Sequence, residues 1–257
     1  RDNTLIGEGL LQLAQNSHRE NMSGTSIFDP VLCEIAYKWY CTEVGCIFDP
    51  FAGGSVRGIV AAKLGYKYKG IDLRREQIDA NYENASELDL EVEWFCDDSQ
   101  NADLYVDDNT ADMIFSCPPY ADLEVYSDDP RDISNMSYDD FLKVYRNIIH
   151  KACNKLKDNR FAVWVIGDVR DKKGFYRDFI TDTKQAFYDK GLKLYNDMVL
   201  VESVGTASLR ASRVFQSGRK TVKVHQNVLV FYKGDPKEIK NNYGEIFIDN
   251  LGEDSEE

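Results

Sequence analysis

Cysteine, histidine and proline are all scarce in this 257-residue chain. The six cysteines (Cys33, Cys41, Cys46, Cys96, Cys117, Cys153) form no CxxC spacing and have no histidine at ligand distance, which excludes structural zinc and fits a reducing cytosol. His18, His150 and His225 are far apart, and nothing marks any of them as catalytic. No apolar run approaches the roughly eighteen residues of a spanning helix. The opening Arg1 to Thr4 also lacks a signal-peptide pattern. A soluble cytoplasmic protein is expected, without membrane or metal. A basic surplus is missing too: 31 Lys and Arg against 44 Asp and Glu leave a net charge of -13, which argues against wholesale electrostatic binding of nucleic acid. There is no internal repeat and no Pro/Gly/Ser-rich linker, so one α/β domain is the economical expectation.

What is present is uneven in charge. Residues 245–257 hold six acids and no base, an acidic tail beyond a domain spanning 1–244. By contrast, 203–226 contains Arg210, Arg213, Arg219, Lys220 and Lys223 with no acid, and reads as a polar, basic loop. Seven short apolar segments have the composition of strands covered on both faces. They are Cys46–Pro50, Tyr66–Asp72, Val92–Cys96, Met113–Pro118, Phe161–Gly167, Tyr195–Glu202 and Asn227–Tyr232. Helical spacing is clearest over Tyr138–Lys157, started by Ser137 with Asp140 in a capping-box arrangement. The last two strands, lacking a long helix between them, are expected to form an antiparallel pair. Residues 1–24 read as an N-terminal helix or lid, built on Leu5, Leu10, Leu11 and Leu13.

Three segments suggest chemistry. Asp49-Pro50-Phe51-Ala52-Gly53-Gly54 is a small-residue turn between a strand and a helix, where backbone amides and the helix N-terminus favour a carboxylate. No Lys-Ser/Thr follows the glycines, so it is not a phosphate-binding loop. Asp72 ends the next strand, placed to accept hydrogen bonds from two ribose hydroxyls, and Asp97 and Asp98 end the third in the same way. Finally, Ser116-Cys117-Pro118-Pro119-Tyr120 closes the fourth strand with two rigid prolines and an aromatic face for stacking a flat base.

In this order the segments resemble the S-adenosylmethionine-dependent amino-methyltransferases of DNA, which methylate adenine N6 or cytosine N4. The resemblance implies a single Rossmann-like methyltransferase domain: a seven-stranded, mostly parallel sheet with an antiparallel last strand and helices on both faces. It implies that Asp49, Pro50, Phe51, Ala52 and Gly53 cradle the methionine part of S-adenosylmethionine, that Asp72 binds its ribose and Asp97 its adenine. Thr25 to Pro30, with Phe28, Asp29 and Pro30, resembles the segment packed beside the cofactor. Cys117, Pro118, Pro119 and Tyr120 become the catalytic loop. The family usually has Asp, Asn or Ser where this chain has Cys117, whose sulfur is a weak acceptor. The Pro118 carbonyl with a neighbour such as Ser116 or Asp122 is expected to share its work.

Arg210, Arg213, Arg219 and Lys220 are the candidate phosphate contacts. Asp168 and Arg170 either shape the pocket or form a surface salt bridge. A cysteine nucleophile is disfavoured because Cys117 precedes the proline instead of following it. Double-stranded DNA is the expected partner, with a homodimer an allowed assembly. The alternatives are an RNA base or a protein glutamine as acceptor, or a catalytically impaired DNA-binding subunit.

Overall fold

The computed structural model describes residues 28–120, 126–201 and 207–246. The expected N-terminal helix, residues 25–27, Asp122 and the tail from 247 lie outside the described residues. Seven strands form one sheet: β1 (Cys46–Asp49), β2 (Lys67–Asp72), β3 (Glu93–Cys96), β4 (Ala111–Ser116), β5 (Leu156–Ile166), β6 (Lys193–Val201) and β7 (His225–Lys233), in the order β3-β2-β1-β4-β5-β7-β6. All pairings are parallel except the two made by β7, with β5 and with β6. This is the mostly parallel, doubly covered sheet with an antiparallel last strand that the apolar segments imply.

The central strands β1, β4, β5 and β7 are apolar over most of their length because both faces are buried. In β5, Phe161, Val163 and Val165 enter one core, while Ala162, Trp164 and Ile166 enter the other. The first core is closed by helices α1 (Pro30–Tyr40), α2 (Val56–Lys63) and α3 (Arg75–Glu87), through residues such as Tyr37, Ile59 and Ile78. The second is closed by α4 (Tyr138–Lys155) and α5 (Phe179–Tyr188), through Phe141, Tyr145, Phe179 and Phe187. Polar atoms inside this second core are paired: the Trp164 indole donates to the Tyr145 hydroxyl at 2.8 Å, which lies 2.9 Å from the Thr183 hydroxyl.

Ser137 starts α4 as expected; its hydroxyl accepts from the Asp140 amide at 3.3 Å and donates to the Asp140 carboxylate at 2.8 Å. The helix stops two residues before the expected Lys157, because Leu156 turns into β5 and pairs with Ala111. A larger correction concerns 203–226. It contains a helix, α6 (Ala207–Gly218), so the connection between β6 and β7 is not a plain loop. Arg210 and Arg213 lie three positions apart, on one side of α6, and both are exposed. This amphipathic helical pattern is short and polar enough to read as a loop in sequence.

Candidate active site

The strand order reverses between β1 and β4, which is where open α/β sheets bind ligands, beyond the carboxyl ends of the strands. At that crevice the buried Ser116 hydroxyl donates to Asp49 Oδ1 at 2.6 Å. It ties the turn after β1 to the loop after β4.

The turn 50–54 is held from all sides. Asp49 is wholly buried, and its other oxygen takes hydrogen bonds from Arg57 Nε at 2.6 Å and the Tyr68 hydroxyl at 2.8 Å. Arg57, also buried, donates onward to the carbonyls of Phe51 and Ala52, and its guanidinium lies 4.7 Å over the Phe28 ring. Burial alone would pull the Arg57 pKa down, but the adjacent Asp49 carboxylate outweighs it and the net shift is upward. Ser99 caps the Pro50 carbonyl, and Asn81 Nδ2 donates to the Gly53 carbonyl at 2.8 Å. Gly53 has φ +51°, a left-handed conformation that favours glycine, and a Cβ on Gly54 would meet nothing within 4 Å. The turn therefore presents an open backbone surface at the start of α2. Asp49 lies buried beneath that surface, both of its carboxylate oxygens engaged in holding the turn.

Asp72 and Asp97 stand side by side at the tips of β2 and β3, joined by the Asp97 amide donating to the Asp72 carbonyl at 3.1 Å. The Asp72 carboxylate takes one amide hydrogen on each oxygen, from Gly53 at 3.0 Å and Arg74 at 2.9 Å. A carboxylate offers about four acceptor sites, so capacity for a pair of hydroxyls remains. Burial raises the Asp72 pKa, against the lowering by those amides. Asp97 accepts from the Asp98 amide, Asn101 and the Tyr105 hydroxyl. Burial tends to raise its pKa, but these hydrogen bonds prevail and lower it. Tyr105 stacks on Phe95 with centroids 4.6 Å apart, which puts an aromatic pair beside Asp97. Asp98 caps a 3-10 turn at Ser99–Leu104. An open glycine turn, a diol acceptor and an acid beside aromatic rings fit the three parts of a nucleoside-linked amino acid.

On the other side of the crevice, Cys117 is half-buried against the same core as Phe28. Ser116, next to it, is fully buried under the turn, where its hydroxyl donates to Asp49. Beyond it, Tyr120 meets Phe179 edge-on at 6.4 Å and its hydroxyl donates to Gln226 Oε1. Tyr120, Gly167, Asp168, Lys223, His225 and Gln226 line a cavity of about 240 Å³, the share of about eight waters in the liquid. Asp168 thus shapes the pocket, while its Oδ1 also accepts from the Phe179 amide at 3.1 Å and so anchors α5. Arg170 does not: it lies 3.8 Å over the Tyr176 ring and donates to the Gly174 carbonyl. Phe28 packs edge-on against Phe115 at 5.7 Å, whereas Asp29 caps α1 by accepting from the Val31 amide at 2.8 Å and Pro30 is the buried first residue of that helix. Arg219, also exposed, lies over the Phe215 ring at 5.2 Å, and Lys220 folds over Gly174; Arg210 and Arg213 are the outward pair on α6 itself.

Arg57, Tyr68, Ser99, Asn81 and Gln226 escaped the sequence reading. Arg57 carried a signal, a charge set between Val56 and the apolar run Ile59 to Ala62; the others act across strands and have no local pattern. Among the described residues no group of three or more His, Cys, Asp or Glu could hold a metal, and no helix is long and apolar enough to cross a membrane.

A family model described as DNA methylase matches residues 111–255, more than half of the 257. No curated protein matches. Solved structures similar in fold include TrmN from Thermus thermophilus, at TM-score 0.55 and 14% identity over 80% of this chain and 49% of that one. A SAM-dependent methyltransferase from Methanosarcina mazei matches at TM-score 0.52 and 15% identity, over 76% of this chain and 94% of that one. An rRNA methylase from Streptococcus thermophilus matches at TM-score 0.50 and 14% identity, over 82% of this chain and all of that one (100%). The chain spans about half the length of TrmN. With its Rossmann-like sheet and the match beginning at β4, the chain belongs to the DNA methylase family and is a methyltransferase that uses S-adenosylmethionine.

Proposed function

We propose that the protein methylates an exocyclic amino nitrogen, adenine N6 or cytosine N4, of a base swung out of double-stranded DNA. The observation that carries this reading is the Ser116–Asp49 hydrogen bond at the switch point, which sets the Cys117–Tyr120 loop beside the glycine turn. When bound, S-adenosylmethionine supplies an electrophilic methyl group. The turn from Pro50 to Gly53, held by Asp49, would seat its amino-acid end; Asp72 would accept from the ribose hydroxyls and Asp97 from the adenine amine. Phe28 would pack alongside, on the ring face opposite Arg57, with Asp29 and Pro30 fixing the helix behind it.

The amine lone pair is delocalised into the base, so the loop has to hold nitrogen in a pyramidal geometry in line with the donor. The Pro118 carbonyl is the acceptor for that amine, Pro119 keeps the loop rigid, Cys117 adds a weak sulfur acceptor, and Tyr120 stacks on the ring. No covalent step is needed: near-attack positioning is worth roughly 7–11 kcal/mol in favourable cases. Extruding the base costs a few kcal/mol, offset by stacking and by phosphate contacts from Arg210 and Arg213, with Arg219 and Lys220 behind them. A separate 245–257 tail, a domain ending near 244 and a role in restriction-modification belong to the same reading.

A second reading, an RNA base as acceptor, draws on the likeness in fold to an enzyme described as an rRNA methylase. Tritium transfer from S-adenosylmethionine to duplex DNA, RNA and protein separates them. Label in DNA, recovered as N6-methyladenine or N4-methylcytosine, supports the first. Label in RNA or in a glutamine replaces it, and label in none points to a binding subunit impaired at Cys117.

A further inference from the structure

The Tyr120–Gln226 hydrogen bond joins residues 106 positions apart. Tyr120 follows β4; Gln226 is the second residue of β7, where it pairs with Leu200 of β6, and its neighbour Asn227 pairs with Ile166 of β5. The ring is therefore held at two ends, by Phe179 against its edge and by Gln226 at its hydroxyl. The same strand begins at His225, five positions after Lys220 and seven after the end of α6, which bears the outward arginines, with Lys223 and His225 of that return lining the cavity beside Tyr120. Both residues are half-buried and line the cavity, and their hydrogen bond links the Pro-Pro-Tyr loop directly to the β6–β7 hairpin.

We infer that Gln226 is a positioning residue for methyl transfer: its amide oxygen fixes the tilt of the Tyr120 ring on which the acceptor stacks, and ties that ring to the hairpin that meets the nucleic acid. The choice of acceptor rests on the function proposed above; the bond and its effect on the ring do not. The chemistry is specific. Glutamate at 226 retains an acceptor for the phenolic proton, whereas methionine keeps the length and loses it.

The test is a double-mutant cycle in the full chain with Tyr120→Phe, Gln226→Met and both together, and Gln226→Glu as rescue. Each single variant is expected to lower kcat about tenfold, as loss of one hydrogen bond allows, with acceptor KM within about twofold and calorimetric cofactor affinity unchanged. The double variant should be no slower than either single, and Gln226→Glu should recover most of the rate. A kcat for Gln226→Met near wild type, multiplicative losses in the double, or no rescue by Gln226→Glu would overturn the inference. If Gln226→Met does not fold, Tyr120→Phe carries the same expectation. Thermal midpoints of the cycle without cofactor read the bond independently. Should the wild type label no acceptor, the proposed function fails, while a non-additive midpoint cycle upholds the pairing and an additive one overturns it.

Discussion

The tips of β1 to β3 and the hairpin of β6 and β7 are built on opposite plans. At the first, carbonyls of Pro50, Phe51, Ala52 and Gly53 are each taken by a side chain, and the organising carboxylate of Asp49 is fully buried. At the second, β6 alternates exposed and half-buried residues along an open sheet edge, Leu209 is 82% exposed, and the arginines of α6 face outward. One side is pre-formed for a ligand of constant shape. The other leaves surface for a partner to cover. Rigid positioning of the donor and an adaptable acceptor face is what differential binding of a transition state asks of such a crevice.

The contrast can be broken most directly at its seam. Tyr120→Ala should cut methyl transfer about 100-fold, the upper end of what one lost stacking platform is worth, while calorimetric affinity for S-adenosylmethionine stays within about twofold; equal loss of both would mean that the two halves are not separable. Asp49→Ala leaves Arg57 buried and unpaired, at about 3–5 kcal/mol, and should lower the thermal midpoint by about 10 °C. An unchanged melting curve would show that the first half is not held by this pair.

Asp72→Ala should weaken cofactor binding about 10- to 100-fold through lost charged hydrogen bonds, without a comparable fall in duplex affinity. The raised pKa of Asp72 adds a pH signature. As an acceptor it has to be ionised, so affinity should decline as pH falls through a value above the ordinary 3.8, and Asp72→Asn should flatten that decline. For folding the sign is opposite: an acid whose folded pKa is raised favours the folded state at low pH and loses that contribution as pH rises through the folded value. Ionised Asp72 therefore trades stability of the empty chain for binding. The smallest effect is expected from Arg210→Ala with Arg213→Ala: roughly tenfold weaker duplex binding near 0.1 M salt, a salt slope reduced by about two, and no change in melting. An unaltered slope would remove α6 from the interface.

Much of the sheet was legible because parallel strands buried on both faces leave continuous apolar runs, as in Phe161 to Ile166, and because each run that forms the crevice ends in a chemically distinctive tip. The α6 helix was not, since Leu209, Val214 and Phe215 are too few and too exposed to set a clear period beside Arg210 and Arg213. The end of α4 moved because pairing of Leu156 with Ala111 outweighed the helical spacing that continued past it. Ser116 looked like an acceptor by its place next to Cys117, but alternation along β4 turns it under the sheet tip instead.

Local pattern thus determined which segments are strands and where their acidic and proline-rich tips fall. Only the tertiary structure decided that Asp49 is a buried clamp on Arg57, Tyr68 and Ser116, and that Gln226 reaches Tyr120. Strand identity follows from the burial of neighbouring residues, which periodicity records. A hydrogen bond between side chains 67 or 106 positions apart depends on register and strand order, which no window of sequence contains.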